Sequence, residues 1–300
     1  MRVVLAGGSG ALGRRLAARL SEHGHDVAVL TRSPQAGSAY RQLGWDGRTV
    51  GDWAPELADA TVINLAGALV DRRPTAANVD LLTRSRVEPT RALAAASREH
   101  RPTVWLQMST LAIYGDAGEA VLDESAEPAR GPAQMAGVAT AWEAAATEAV
   151  AVRQVMLRTA VVLDPGTPAF NRLVGLTKWG LGGRVGSGRQ WFSWLHIADY
   201  LAVVDFVVAE ETLTGVVHAT SPHPVRNTAL MAALRAVVRR PPAPPTPEPL
   251  VRLGSVVLRT DPALALTGRR CVPARLQAAG FDFSFPDLRP ALADLMTRRS

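Results

Sequence analysis

Three hundred residues, 47% of them hydrophobic and 20% charged, hold enough apolar chain for one large domain or two smaller ones and exclude disorder as the starting expectation. The net charge of +6 invites a nucleic-acid partner, but Lys178 is the only lysine and the arginines are scattered among 27 acids without a recognition motif, so no basic binding stripe exists. No apolar run reaches the roughly 18 residues of a membrane span and no signal-peptide pattern opens the chain, so a cytoplasmic protein without a membrane partner is expected.

In chain order, short Val/Leu/Ile/Ala-rich runs predict strands at Arg2–Ala6, Asp26–Leu30, Thr61–Leu65, Val104–Met108 and Gln154–Leu157. Helical periodicity predicts helices over Ala11–Glu22, Ala76–Arg98 and Ala133–Val150. Strands that are apolar throughout, alternating with helices, suit a parallel sheet buried on both faces. After Leu163 the chain becomes rich in Gly and Trp, which predicts loops and short elements lining a site. Asp199–Val208 and Val216–Thr220 then return a helix and a strand to the main sheet. A helix near Asn227–Val238 follows, then the proline-rich "RRPPAPPTPEP" as a stiff extended connector, and a closing helix, Asp287–Thr297. The expected fold is α/β: a Rossmann-like, doubly wound parallel sheet built from 1–163 and completed by about 194–220. A smaller substrate-side domain comprises 164–193 and 221–300. One cysteine, Cys271, permits no internal disulfide. The histidines are dispersed, with only His23 and His25 close together, so no metal is expected.

The stretch "VVLAGGSGALGRRL" carries the most chemistry. A strand ending at Ala6, glycines at Gly7, Gly10 and Gly13, and a helix from Ala11 bring backbone N–H groups and a positive helix end to one point. That geometry binds a pyrophosphate: Gly7 permits the turn, Gly10 admits the phosphates and Gly13 lets helix and strand pack closely. The second strand ends in Thr31 and Arg32 where an NAD-preferring site usually has an acid for the ribose hydroxyls. Arg32 suits a 2′-phosphate, so NADP(H) is the expected cofactor, with a solvated loop arginine as the alternative. "INLAGA", Ile63–Ala68, brings small residues against adenine and ribose, with close backbone approach at Gly67.

These glycines, "NLAG" at Asn64–Gly67, "STLAIYG" at Ser109–Gly115 and "WLHIADY" at Trp194–Tyr200 resemble the extended and atypical short-chain dehydrogenase/reductases. More narrowly, "SRVEPTRAL", "RTAVVL", "GLGGRVGSGRQWFSWLHIAD" and the C-terminal "GRRCVPARLQAAGFDFSFPDLRPALADL" resemble the nucleoside-diphosphate-sugar-epimerase-like family, some of whose members are labelled cell-division inhibitors. The resemblance implies Ser9, Ala11 and Leu12 at the phosphates, Thr31 and Arg32 at the adenosine phosphate, and Leu65, Ala66 and Gly67 at the ribose. It also implies cofactor contacts for Arg86 and Val161.

In that superfamily a Tyr, and a Lys four residues later, exchange the proton that accompanies hydride transfer. Here Ser109 and Thr110 supply the hydroxyls, but the Tyr position falls near Met135 and the Lys position near Ala139. Ala133–Val150 contains no Tyr, Lys or His. Three readings follow: an NADP(H)-dependent oxidoreductase or epimerase using another acid, a non-catalytic NADP(H) sensor or scaffold, or an enzyme of a non-redox step. Catalytic candidates are Ser109, Thr110 and Tyr114, and the replacement acid is Lys178, His196, Tyr114 or a water held by Thr110. On the substrate side stand Lys178 and His196, Arg189 and Gln190 for an anionic group, and Trp191 and Trp194 as pocket wall. The partner is an unidentified small molecule, on a nucleotide-sugar-like analogy, and the protein is expected to be a monomer or homodimer.

Overall fold

The computed structural model describes residues 1–297; the last three residues of the expected C-terminal segment lie outside the described residues. Seven strands form the main sheet: β1 (Arg2–Ala6), β2 (Asp26–Thr31), β3 (Arg41–Gly44), β4 (Thr61–Asn64), β5 (Val104–Thr110), β6 (Arg153–Thr159) and β7 (Gly215–Ala219). They run in the order β7-β6-β5-β4-β1-β2-β3 and every pair is parallel. The order reverses between β1 and β4, and a crevice opens there at the carboxyl ends of the strands.

Alternation along β1 explains the two layers. Val3 and Leu5 join a core with Leu16 and Leu20 of α1 (Ala11–Glu22). Val4 and Ala6 face the other side, with Leu93 and Ala96 of α2 (Ala76–Ser97) and Trp105 of β5. Helix α3 (Val138–Ala146) lies beside α2 and buries Trp142. The α1 side is extended by α4 (Pro168–Lys178), α5 (Ile197–Ala209) and α6 (Asn227–Val237). The C-terminal helix Leu288–Thr297 buries Leu288, Ala291, Leu292 and Leu295 in that same core, so the last third of the chain shares a core with the sheet.

Several expectations are corrected. β3 was not anticipated, because "RQLG" is a short polar edge strand without an apolar run. α4 replaces the expected loop: Phe170, Val174 and Thr177 bury one face, and Pro168 at the first helical position starts it without losing a needed N–H. The helix expected over Ala133–Val150 opens as a π-helical turn, Ala133–Gly137, and α3 ends at Ala146. The wide turn turns Gln134, Met135 and Ala136 inward together. The proline segment is extended only as far as Pro247; Glu248 and Pro249 form the first turn of α7 (Glu248–Val257), where a proline costs no intrahelical bond.

Three two-stranded pairings gather the remaining chain around the ends of β5 and β6: Val161–Leu163 with Trp194–His196, Trp191–Phe192 with Val225–Arg226, and Val121–Leu122 with Arg270–Cys271.

Candidate functional site

The glycine turn after β1 is built around contacts that leave no room for a side chain. Gly7 has φ +82°, and a Cβ there would lie 2.8 Å from the Leu65 carbonyl group. At Gly13 a Cβ would lie 2.5 Å from the Gly7 oxygen. The turn therefore packs against the Leu65–Ala66 backbone at the end of β4. Gly10 caps α1 without any side-chain hydrogen bond, and no acid occupies the first helical turn, so the α1 N-terminus keeps unsatisfied N–H groups beside exposed Ser9. Arg14 adds charge there, donating to the Ser9 carbonyl (2.5 Å). Ala11 and Leu12 are half-buried at the same helix start.

At the end of β2, Thr31 accepts from the Ser33 N–H (3.3 Å), and Arg32 is exposed without an ion pair among the described residues. Asp46, two residues past β3, has its carboxylate on the N–H groups of Arg48 and Thr49 and the Thr49 hydroxyl.

Beneath the Asn64–Gly67 turn lies a buried polar network. Asn64 donates to Thr90 Oγ1 (2.8 Å) and Gln107 Oε1 (3.0 Å) and accepts from the Ala66 N–H (3.1 Å), fixing the turn against β5 and α2. Arg86 lies behind Gly67, donating to the Ala68 (3.0 Å) and Leu82 (3.2 Å) carbonyls, 5.2 Å from the Trp142 ring centre. Burial pushes its guanidinium down to about 10, and no carboxylate pairs with it among the described residues. Residues 68–75 then run as a strap: Gln134 donates to the Val70 and Arg72 carbonyls (3.3 and 2.8 Å), Asp71 pairs with Arg172 of α4 (2.6 Å), and Arg73 donates to Val256 of α7 (2.6 Å).

Ser109 and Tyr114 are brought together, but into the protein. The Ser109 hydroxyl donates to Glu143 Oε1 (2.5 Å), and Arg158 grips both Glu143 oxygens (2.9 and 2.8 Å). Arg158 also donates to the Tyr114 hydroxyl (2.7 Å), which must then direct its hydrogen to His218 Nε2 (2.7 Å). The ring's single N–H is then on Nδ1 and donates to the Val272 carbonyl (3.0 Å). Burial raises the Tyr114 phenol to about 12, against the opposing pull of Arg158, and lowers His218 to about 4. Both stay neutral near pH 7 and neither offers a proton outward. Thr110 differs: half-buried at the end of β5, it accepts from the Ala112 N–H (3.2 Å), and its own hydrogen has no acceptor among the described residues.

A pH prediction follows. The folded pKa of His218 is depressed, so the unfolded chain binds the extra proton first. Its stabilisation is complete above the unfolded value near 6.5 and is lost as pH falls towards about 4. The loss approaches about 3 kcal/mol at pH 4 and is about 2 kcal/mol by pH 5, and in urea titrations between pH 7 and 5 it is absent from His218→Gln. Parallel profiles for the two proteins would refute it.

On the expected substrate side the placements diverge. Val161 is 38% exposed where it pairs with Trp194, but Trp194 is fully buried and donates to the His223 carbonyl (3.1 Å). His196 is fully buried, accepts from the Ala198 N–H (3.1 Å) as the cap of α5, and faces Asp294 (3.2 Å). Those two side chains are not available to a ligand. Gln190 holds the Val185 and Ala265 carbonyls (3.1 and 2.8 Å), while Lys178 is exposed at the end of α4. Arg189 is 79% exposed and 3.8 Å from Glu119. Trp191 lies under Arg226 and Arg270, 4.0 and 4.6 Å from its ring centre. The residues missed from the sequence are Glu143, His218, Gln134 and Arg269; the available signal was a lone Glu in the Ala-rich "TAWEAAA" and charges inside strand patterns, which need partners when buried. No group of three or more His, Cys, Asp or Glu able to hold a metal ion occurs among the described residues, and no described helix is long and apolar enough to cross a membrane.

The parallel sheet, reversal point and glycine turn define a Rossmann-type fold with a dinucleotide crevice. The profile of the NAD dependent epimerase/dehydratase family matches residues 3–217, and a domain of unknown function, DUF1731, matches residues 246–295. The chain belongs to the NAD dependent epimerase/dehydratase family, in its atypical short-chain dehydrogenase/reductase branch with that C-terminal domain. It is 32% identical over 301 residues to the Epimerase family protein SDR39U1 of Mus musculus (99% of this chain, 100% of the relative). It is 34% identical over 307 residues to the Epimerase family protein Mb2239 of Mycobacterium bovis (99% and 98%). The crystal structure of human epimerase family protein SDR39U1 (isoform2) with NADPH superimposes with a TM-score of 0.86 at 29% identity, covering 99% of both chains. MoeE5 in complex with UDP-glucose and NAD shares the fold, with a TM-score of 0.76 at 21% identity over 100% of this chain and 99% of that one.

Proposed function

We propose that this chain binds NADP(H) in the crevice between β1 and β4 and is an oxidoreductase or epimerase that works without a Tyr–Lys pair. The observation that carries the cofactor assignment is the uncapped α1 N-terminus together with an exposed Arg32 that has no ion pair among the described residues, and no carboxylate at the end of β2. The NADPH in the crystal structure of human SDR39U1 supports it. The residues present fit such a group: the N–H groups of the glycine turn and α1 hold the pyrophosphate, Arg32 the 2′-phosphate, and Leu65–Gly67 the ribose. Arg86, a cation without an anionic partner among the described residues, adds positive potential under that turn.

When bound, the dinucleotide supplies or accepts a hydride. Thr110 holds the substrate oxygen, or the water that exchanges its proton, through the one hydroxyl hydrogen of "STLAIYG" that has no acceptor among the described residues. Ser109, Tyr114, Glu143, Arg158 and His218 act as the frame that keeps this turn in place. The substrate is a small polar molecule, and the family's nucleotide sugars are the first class to try.

A second reading, NADP(H) binding without turnover, draws on the inward orientation of Ser109 and Tyr114. One experiment separates the two. The purified protein is incubated with NADPH deuterated at the nicotinamide and with panels of nucleotide sugars and polar carbonyl compounds. Deuterium transfer into a substrate, lost in Thr110→Val, is the expected result; tight binding with no transfer to any compound favours the sensor reading.

A further inference from the structure

Among the largely buried guanidiniums, Arg269 stands out for lacking partners. Arg158 has Glu143, and Arg153 has the carbonyls of Val207, Val208 and Leu213. Arg269 Nε is buried with no hydrogen-bond partner, and Nη2 reaches only Thr267 Oγ1 at 3.3 Å. No carboxylate lies within ion-pair distance among the described residues. The nearby Asp116 uses one oxygen to accept from the Gly268 N–H (3.0 Å). Burial lowers the Arg269 pKa, with Cys271 and Asp116 opposing the shift. A buried charge without a counter-charge is far more costly than an unpaired amide oxygen such as that of Gln134, so this position calls for an anion.

Its place in the fold says which anion. The Arg269 N–H donates to the Trp191 carbonyl (3.2 Å), and its carbonyl accepts from Ser193 Oγ (2.9 Å), next to the Trp194–His196 strand that pairs with Val161. Asp116 lies just past the turn that carries Thr110 and Tyr114. Arg269 is thus at the carboxyl ends of β5 and β6, where a substrate meets the crevice. Arg226 and Arg270 lie over the ring of Trp191, the residue whose carbonyl the Arg269 N–H meets, and Glu119 pairs with Arg189 and Arg226.

We propose that Arg269 anchors an oxyanion of the substrate, a carboxylate or a phosphate, through its Nη1–Nη2 end. This rests on the reading of a substrate site beside a bound dinucleotide, and it makes that substrate anionic. Nε is closed off inside the protein, but the residue is only half-buried, and its Nη1–Nη2 end carries two parallel N–H groups, the spacing that an oxyanion accepts bidentately.

The test uses protein saturated with NADP⁺, so that the cofactor's own phosphates fill the glycine turn and Arg32. Malonate and, separately, inorganic phosphate are titrated by calorimetry at constant ionic strength. Wild type shows one saturable site, weakened about ten-fold or more in R269Q and partly kept in R269K, with NADPH affinity unchanged in both. Tighter malonate assigns a carboxylate, tighter phosphate a phosphate. In buffer free of both anions, R269Q melts no lower than wild type, because no native pair is broken. Unchanged anion affinity in R269Q, no saturable site in wild type, or a lowered Tm of R269Q in that buffer would each overturn the proposal. The titration is repeated without NADP⁺: anion binding that depends on Arg269, in a protein that fails to bind NADPH, would overturn the cofactor reading alone.

Discussion

Replacing Arg32 with glutamate weakens NADPH binding about 100-fold while changing NADH binding by less than about three-fold. Arg32 is exposed, without an ion pair among the described residues, and placed at the end of β2, next to Thr31, whose hydroxyl is engaged locally with Ser33. A charge-assisted contact to a 2′-phosphate is worth about 1.5–3 kcal/mol, and a glutamate adds repulsion in place of attraction. The same glutamate can accept the ribose hydroxyls of NADH, so the two losses separate. Fluorescence titration of both dinucleotides measures them. Equal losses would remove Arg32 from the cofactor site and leave it a solvated loop residue.

Breaking the buried network has the largest effect on stability. Arg158 is 6% exposed and Glu143 14%, and the pair also orients Ser109 and Tyr114. Desolvation alone lowers the Arg158 pKa, but the Glu143 hydrogen bonds and charge raise it above the ordinary value. Arg158→Met leaves the Glu143 carboxylate without its counter-charge and lowers the free energy of unfolding by about 3–5 kcal/mol. Glu143→Leu combined with Arg158→Met costs less than the single change, because neither charge is then left alone. Urea denaturation of Arg158→Met, Glu143→Leu and the double variant decides it. An additive double variant would mean that the two residues contribute separately rather than as a pair.

The parts legible in the sequence are those whose signal is local. The apolar runs at Arg2–Ala6, Asp26–Leu30 and Val104–Met108 can only be buried strands, and the glycine turn reads as an anion cradle because each Gly has a distinct steric task. β3 escaped because its four residues are held by pairing with β2 and carry no pattern of their own. α4 escaped because Gly175 and Pro168 blur a period that Phe170, Val174 and Thr177 keep. The network around Arg158 draws on β5, α3, β6 and β7, elements up to 104 residues apart as Tyr114 and His218 show. No spacing rule joins such residues, and the same hydroxyls that look catalytic in "STLAIYG" become donors to Glu143 and His218 once the fold closes. Trp194 and His196 carried a motif signal that was real but structural: one fills the core and the other caps α5.

Binding of the dinucleotide itself is the most direct test. The protein, stripped of nucleotide, is titrated with NADPH and with NADH while energy transfer from its seven tryptophans to the reduced nicotinamide is followed. Saturable transfer with NADPH, at an affinity about 100-fold above that for NADH, is the predicted result. No transfer with either dinucleotide would contradict it, leaving a glycine turn that shapes the fold but holds no cofactor.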